Sequence, residues 1–152
     1  MAGDDVAYWW AEGATLAGPG DRPVAFTSAM TAELGRLAVL VIGASGTGSI
    51  SCEQLARLGF GHVLAVDFDH VELKNLNRIV NSNRADAEMG RLKVNVFAEA
   101  VGRHRGEGVG IPVATSVTTR EAVMAAAQCD VLFCCVDTLE ARHIADCIAA
   151  SF

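Results

Sequence analysis

The sequence of 152 residues lacks any apolar run close to the roughly 18 residues that a membrane-spanning helix needs. It also lacks an excess of positive charge, since its formal net charge is −6. Nucleic acids and anionic membranes both select basic surfaces. The first residues, MAGDDVAYWW, are acidic where a secretory signal would be basic. We therefore predict a cytoplasmic protein that binds neither nucleic acid nor membranes.

No CxxC pair occurs among the five cysteines, which argues against a zinc site of the usual spacing. Cys134 and Cys135 are neighbours in a predicted strand, so their side chains would point to opposite faces. That geometry suits neither a disulfide bridge nor a shared metal. Because free cysteine is among the most buried residue types, we expect buried free thiols.

From Leu37 onward, apolar runs alternate with helical stretches. The runs LAVLVI, HVLAV, VGIPVA and DVLFCCV are continuously apolar, which is typical of strands buried on both faces of a parallel sheet. Helices are predicted over Thr47–Leu58, Ala87–His104, Arg120–Ala127 and Leu139–Ala150. This βαβαβαβα order predicts an α/β, Rossmann-like three-layer fold with a mainly parallel sheet.

The ends of the predicted helices carry capping signals. Gly59 stands where a left-handed residue would end the first helix. Thr118 and Glu121 have the spacing of a capping box, which predicts a helix start there. Thr138 is a suitable cap for the last helix.

The chain divides into two parts by composition. Residues 1–36 are predicted to form an arm rich in glycine and proline, with a short helix near Ser28–Leu34. Residues 37–152 form the Rossmann-like domain. Four strands make only one mononucleotide-binding half, so we expect a sheet that is incomplete at its C-terminal side. Either a partner covers that side or the sequence is a piece of a longer protein, and we favour the second interpretation.

The motif GASGTG, residues 43–48, follows the first strand and opens the first helix. Gly43 allows a tight turn, Gly46 admits a phosphate to the backbone, and Gly48 lets the helix pack closely on the strand. Ser45 and Thr47 complete the predicted phosphate-binding loop, whose helix start offers N–H groups to an anion. No lysine closes the motif, so it is not a Walker A loop.

Polar residues follow the second strand. Asp67 ends it, at the position where a carboxylate of such folds bonds the ribose hydroxyls. Asp69 lies two residues further on. Asn75 and Arg78 are three residues apart, so a helical turn would place them on one side. Arg78 is always charged and suited to binding phosphate oxygens in a fork.

Two more charged residues complete the predicted site. Lys93 would bring a second cation to this region, although by itself it is more typical of a surface lysine. Asp137 follows the fourth strand, and a carboxylate near a triphosphate is a typical Mg²⁺ ligand. Its alternative role is to cap the last helix. Two cations and an extra acid exceed what the pyrophosphate of a dinucleotide requires, which indicates ATP with Mg²⁺.

The motifs GASGTG, DFDHVELKNLNR, GRLK and CVDT have the order and approximate spacing of a known domain. From about Leu37 to its end, the sequence resembles the adenylating domain shared by ubiquitin-activating enzymes, MoeB and ThiF. The resemblance implies an ATP-dependent adenylyltransferase that activates the C-terminal glycine of a small ubiquitin-like or sulfur-carrier protein and releases pyrophosphate. It also implies a homodimer in which an N-terminal arginine, Arg22 or Arg36 here, reaches the partner's site.

The resemblance assigns roles to individual positions. It implies that Asp67 binds ribose, that Arg78 and Lys93 act as catalytic cations on the triphosphate, and that Asp137 is the catalytic acid near Mg²⁺. The other positions that match the nucleotide site of the family are Gly43, Gly46, Gly48, Asp69 and Asn75. The sequence departs from the family in having Ala44–Ser45 where another glycine is common.

Two other functions remain open at this point. The glycine loop would also serve an NAD-dependent oxidoreductase, which would bind NADH without competition from ATP. The domain would otherwise be a non-catalytic interaction module that keeps the fold, and replacing Arg78 or Asp137 would then leave its biological activity unchanged.

Overall fold

The computed structural model describes residues 32–152 and contains one sheet of four parallel strands in the order β3-β2-β1-β4. The strands are β1 (Ala38–Ile42), β2 (His62–Val66), β3 (Gly110–Val113) and β4 (Val131–Cys134). In the register of the sheet, Ile42 lies opposite both Val66 and Cys134. The carboxyl ends of β2, β1 and β4 are therefore level at one edge. The α/β, Rossmann-like prediction is confirmed.

Helices cover both faces of this sheet. They are α1 (Gly46–Leu58), α2 (Arg84–Glu88), α3 (Lys93–Arg105), α4 (Arg120–Ala126) and α5 (Leu139–Ala149). Helices α1 and α3 contribute to one apolar cluster, and α4 and α5 contribute to the other. As predicted, α1 ends at Gly59, which is left-handed at φ 109°. None of the described helices is long and apolar enough to cross a membrane.

The central strands β1 and β2 explain why their sequences are continuously apolar. Val39 and Val41 are buried on the α1 and α3 side, whereas Leu40 and Ile42 are buried on the α4 and α5 side. Side chains of a strand alternate between faces, so a strand covered on both sides must be apolar at every position. The prediction of two-sided burial is confirmed for these two strands.

Strand β4 differs from β1 and β2 although its sequence is equally apolar. Val131 and Phe133 are 36% and 38% exposed, and Cys134 is exposed as well. The prediction of two-sided burial is wrong here, because only one face of this edge strand is covered within residues 32–152. Leu132 packs against the cluster of α4 and α5, whereas Val131 and Phe133 lie on the other face and stay partly exposed. The four strands are those predicted, and an incomplete sheet stays a prediction.

Of the two predicted helix N-caps, one is confirmed and the other is wrong. Thr138 does cap α5, and its hydroxyl accepts the Ala141 N–H at 3.3 Å. The capping box of Thr118 and Glu121 is wrong, because Thr119 caps α4. The Thr118 hydroxyl instead lies 3.0 Å from that of Ser116.

The single helix predicted over Ala87–His104 is wrong, because the segment forms α2 and α3 with a break between them. The N–H of Val71 donates to the carbonyl of Arg91 at 2.8 Å, and His70 forms an antiparallel bridge with Leu92. Met89 and Gly90 form a turn after α2, and these pairings hold Leu92 in an extended conformation before α3 begins. A contact from a distant part of the chain therefore overrides the local helical pattern.

Only the end of the predicted N-terminal helix lies among the described residues. Residues 32–34 are helical, and Gly35 lies in the turn that follows, as predicted. The remainder of the predicted arm, residues 1–31, lies outside the described residues.

The five cysteines are free thiols, as predicted, but they are not all buried. Cys52 is fully buried, Cys129 and Cys135 are half-buried, and Cys134 and Cys147 are exposed. The expectation of burial fails for the last two because they lie on the edge strand β4 and on the outer surface of α5. Cys135 follows β4 instead of belonging to it.

Candidate functional site

A cleft of about 700 Å³ lies at the carboxyl ends of the strands. It brings together ten of the eleven predicted site residues, which are Gly43, Ser45, Gly46, Thr47, Asp67, Asp69, Asn75, Arg78, Lys93 and Asp137. Ligands of open α/β sheets bind at this edge.

The glycine loop leaves the start of α1 available to an anion. Gly43 makes the turn after β1 at φ 90°. Ser45 occupies the N-cap position without a side-chain cap, and the first turn contains no acidic residue. The first N–H groups of a helix have no partner within the helix, and the helix dipole makes that end positive. Gly46 and Thr47 line the cleft at this end, so the local geometry suits a phosphate group.

Gly48 is the predicted site residue that does not line the cleft. A methyl group at this position would lie 1.6 Å from the carbonyl oxygen of Gly43. Glycine therefore allows α1 to approach the turn after β1, which is the close packing that the sequence predicts. The residue shapes the loop from behind.

Asp67 joins the glycine loop to β2. Its Oδ2 accepts the Ala44 N–H at 2.7 Å, and its Oδ1 accepts the Asp69 N–H at 2.8 Å. The side chain is only 9% exposed. A carboxylate has about four acceptor positions, so Asp67 can hold the loop and still accept hydrogen bonds from a ligand.

Lys93, the first residue of α3, is buried in an acidic environment. Its side chain is 6% exposed, and its Nζ lies 2.7 Å from Oδ2 of Asp69 and 4.0 Å from Oδ2 of Asp67. The alternative of a surface lysine is therefore wrong. A buried ammonium group requires such partners, so the two aspartates share the charge of Lys93.

Asn75 and Arg78 lie on the same side of a turn, as predicted. The Arg78 N–H donates to the carbonyl of Asn75 at 3.0 Å, and Oδ1 of Asn75 accepts the Glu72 N–H at 3.3 Å. The side chain of Arg78 lies across the glycine loop, since a methyl group at Gly46 would be 3.4 Å from its Cδ. Asn75 thus builds the turn that presents Arg78.

The cations of the cleft differ in their pairing. Lys74 lies 2.8 Å from Glu72, and Lys93 is held by Asp69. Arg78 forms no ion pair with any carboxylate in residues 32–152, and its guanidinium donates there only one long hydrogen bond, to Oδ1 of Asn77 at 3.5 Å. Arg78 is therefore the cation with a free charge for an anionic ligand.

Asp137 is exposed and lines the side of the cleft nearest β4. Its alternative role as a helix cap is wrong, because Thr138 caps α5. The described part of the chain contains no cluster of three or more metal-binding side chains. A single carboxylate nevertheless fits Mg²⁺, which commonly takes one or two carboxylates together with phosphate oxygens and water.

Cys135 lies under the glycine loop and also lines the cleft. Its backbone N–H donates to the carbonyl of Ile42 at 2.8 Å. Burial raises the pKa of the Cys135 thiol. Since the thiolate is the nucleophile, this change disfavours a nucleophilic role.

The cleft is also lined by residues that were not predicted from the sequence. Thr115, Ser116 and Thr118 follow β3 and add hydroxyl groups, while Glu72 and Glu140 add carboxylates. The three hydroxyl residues could have been predicted, because they follow a predicted strand just as Asp67 and Asp137 do.

Only one of the two candidate partner-site arginines is a described residue, and it does not line the cleft. Arg22 is outside the described residues. Arg36 is exposed and pairs with Glu33 at 3.0 Å. An arginine supplied across a dimer stays a prediction.

The sequence matches the model of the ThiF family over residues 22–152. It is 32% identical over 114 residues to the molybdopterin-synthase adenylyltransferase of Escherichia coli (strain K12), covering 74% of this chain and 45% of that protein. It is 30% identical over 117 residues to ubiquitin-like modifier-activating enzyme 5 of Arabidopsis thaliana, covering 68% of this chain and 27% of that protein. The chain thus spans less than half the length of either relative.

Solved structures show the same fold. TcdA (CsdL) superimposes with a TM-score of 0.71 at 23% identity, covering 80% of this chain and 49% of that one. The E. coli tRNA N6-threonylcarbamoyladenosine dehydratase TcdA, solved in complex with ATP, gives a TM-score of 0.68 at 24% identity and covers 80% of this chain and 51% of that one. Since the family match spans most of the sequence, the chain belongs to the ThiF family.

Proposed function

We propose that this chain binds ATP with Mg²⁺ and activates the C-terminal carboxylate of a small ubiquitin-like or sulfur-carrier protein as an acyl-adenylate. The observation that carries the proposal is the position of Arg78, a cation without an acidic partner in residues 32–152 that lies across the phosphate loop. The relatives named for adenylyltransferase and modifier-activating functions support it.

Each side of the cleft would hold a different part of the nucleotide. The acceptor positions that remain on Asp67 would take the ribose hydroxyls. The N–H groups at the start of α1 would bind phosphate oxygens, and Arg78 would bind the β- and γ-phosphates in a fork. Lys93 would contribute positive charge only in part, because Asp69 holds its Nζ at 2.7 Å.

The charge of the cleft favours a divalent cation with the nucleotide. Five carboxylates line it, from Asp67, Asp69, Glu72, Asp137 and Glu140, against three cations, so negative charge is in excess. A free triphosphate would be repelled by this excess. Mg²⁺, when bound, would neutralise phosphate oxygens, and Asp137 is the carboxylate we assign to it.

The proposed reaction needs alignment more than proton transfer. A carboxylate oxygen of the carrier protein attacks the α-phosphorus, and a new oxygen–phosphorus bond forms. The bond from the α-phosphorus to the bridging oxygen breaks, and pyrophosphate leaves with that electron pair. The chain would hold the carrier carboxylate and the triphosphate in line, and Arg78 would neutralise negative charge on the phosphates. No thiol is required in this step.

We also propose that the protein works in the cytoplasm as a homodimer. Exposed Val131 and Phe133 on β4 support an assembly, because contiguous apolar surface on a monomer marks an interaction site.

Exchange of labelled pyrophosphate into ATP tests the proposal. We expect exchange that requires Mg²⁺ and a carrier protein with an intact C-terminal glycine, with the same carrier lacking that glycine as the control. Binding of ATP without exchange for any candidate carrier would contradict the enzyme function. Unchanged biological activity after Asp137→Ala would instead favour the interaction module.

A further inference from the structure

Glu53 is a buried carboxylate in the second turn of α1, outside the cleft. Its side chain is 7% exposed. Oε1 accepts from Nε of Arg57 at 2.6 Å, and Nε2 of His104 lies 3.9 Å away. Oε2 accepts from Nδ2 of Asn81 at 2.9 Å. A carboxylate is costly to bury unless it is paired and hydrogen-bonded, so these contacts fix its position.

Ser49 lies one helical turn before Glu53 and faces the same segment. Its buried hydroxyl accepts the Val80 N–H at 3.1 Å and lies 3.5 Å from the carbonyl oxygen of Arg78. The hydroxyl also donates to the carbonyl of Gly46 at 3.0 Å. Ser49 therefore connects the phosphate loop directly to the backbone beside Arg78.

The backbone from Arg78 to Asn81, which these contacts hold, includes one residue in an unfavourable conformation. Asn81 is left-handed at φ 68°, the one described non-glycine residue with a positive φ. Asparagine tolerates this region better than most residues, but the conformation still needs support from its surroundings. The bond from Asn81 to Glu53 supplies that support three residues after Arg78.

We propose that Ser49 and Glu53 are positioning residues that hold Arg78 over the phosphate loop. This inference rests on the proposed function, in which Arg78 binds the triphosphate. The guanidinium has no strong bond of its own within residues 32–152, so its placement depends on its backbone. Because Ser49 and Glu53 belong to the helix that begins at the loop, α1 sets both the phosphate-binding N–H groups and the cation that faces them.

The affinities for ATP and AMP, measured with Mg²⁺ by calorimetry, separate positioning from simple stabilisation. AMP shares the base, the ribose and the α-phosphate, but it lacks the β- and γ-phosphates. We expect Arg78→Ala to weaken ATP about tenfold or more, as for a lost charge-assisted hydrogen bond, and AMP less than about twofold. Glu53→Gln should weaken ATP about three- to tenfold with the same preservation of AMP.

A double-mutant cycle tests whether Glu53 affects ATP affinity through Arg78. If Glu53 acts through Arg78, Glu53→Gln adds nothing to the loss of ATP affinity in an Arg78→Ala background. Losses that add, or equal losses for ATP and AMP, would overturn the proposal. Should Glu53→Gln not fold, Asn81→Ala removes the hydrogen bond to Glu53 at an exposed position, keeps the left-handed conformation unfavourable, and must lower ATP affinity selectively. The control is Glu88→Gln, which breaks an exposed pair with Arg84 on α2 and should change neither affinity.

The cycle also separates this inference from the proposed function. If Arg78→Ala weakens ATP selectively but the Glu53 and Asn81 variants do not, the positioning role is wrong and the ATP site stands. If the unmodified chain binds no ATP, or if Arg78→Ala changes nothing, the assignment of Arg78 to the triphosphate fails, and the positioning role fails with it.

Discussion

Asp67 and Asp137 follow the two strands that flank β1, at the same edge of the sheet, yet they are held in opposite ways. Both oxygens of Asp67 accept backbone N–H groups, and its side chain is almost fully buried. Asp137 is exposed and leaves the capping of α5 to Thr138. The β2 side of the cleft is therefore assembled by the fold itself, whereas the β4 side presents an exposed carboxylate without a hydrogen bond to a described residue.

Because of this difference, stability and binding should depend on the same residue on one side of the cleft and on different residues on the other. On the β2 side, Asp67 both builds the loop and is proposed to bind ribose, so a substitution must affect stability and binding together. On the β4 side, Asp137 contributes no hydrogen bond to a described residue, so a substitution should affect function alone. Three substitutions, ordered by their expected effect on stability, test how the cleft is built. A labelling experiment then tests the burial of the thiols.

Gly48→Ala should have the largest effect, because the new methyl group would meet the carbonyl oxygen of Gly43 at 1.6 Å. Overpacking of this kind costs about 3 kcal/mol, and we expect ATP binding to be lost with the displaced loop. Gly102→Ala is the matched control, since nothing lies within 4 Å of its added methyl group in α3. It should stabilise the protein by up to about 1 kcal/mol. Urea unfolding measures both, and equal stabilities would contradict the close packing of α1.

Asp67→Ala should destabilise the protein by about 1–3 kcal/mol, because it leaves the Ala44 and Asp69 N–H groups without their acceptor. ATP affinity should fall in the same variant. Thermal unfolding and calorimetric titration provide the two measurements, with the exposed Asp146→Ala on α5 as the control. A variant with normal stability and weakened binding would show that Asp67 acts on the ligand alone.

Asp137→Ala should leave the free energy of unfolding unchanged within about 0.5 kcal/mol, as for a surface residue without partners. Pyrophosphate exchange should nevertheless fall by about 10²–10³, the usual loss when a group that stabilises transition-state charge is removed. A drop in stability comparable to that of Asp67→Ala would break the contrast between the two sides.

Alkylation of the cysteines should report which thiols the fold buries, without any substitution. We expect iodoacetamide at pH 8 to label exposed Cys147 on α5, while Cys52 under β1 reacts only after unfolding, since burial also raises its pKa. Burial raises the pKa of Cys129 to about 11, so its labelling rate should increase as the pH rises towards that value. Peptide mass spectrometry measures the sites. Labelling of native Cys52, or protection of Cys147, would contradict the description.

The residues of the cleft were predictable where a local rule applies. Asp67 and Asp137 follow predicted strands, and Asn75 and Arg78 have the spacing of one helical turn. These signals lie within a few residues of sequence. The same rule applied to β3 would have found Thr115 and Ser116.

The rest depends on contacts between distant parts of the chain. Lys93 is buried because Asp69, 24 residues earlier, lies beside it. The predicted helix over 87–104 breaks where Leu92 pairs with His70. The apolar sequence of β4 gives no sign of whether a strand lies beyond it. Long-range pairing decides each of these features, and no periodicity in the sequence records it.

Competition between ATP and NADH for the cleft shows which nucleotide the protein binds, because the fold alone would accommodate either one. The fluorescence of NADH, titrated with the protein and then with ATP and Mg²⁺, measures both. The account predicts that ATP binds, that NADH binds weakly or not at all, and that ATP displaces any bound NADH. Tight NADH binding that ATP does not displace would contradict the assignment of Arg78 and Asp137 to a triphosphate with its metal.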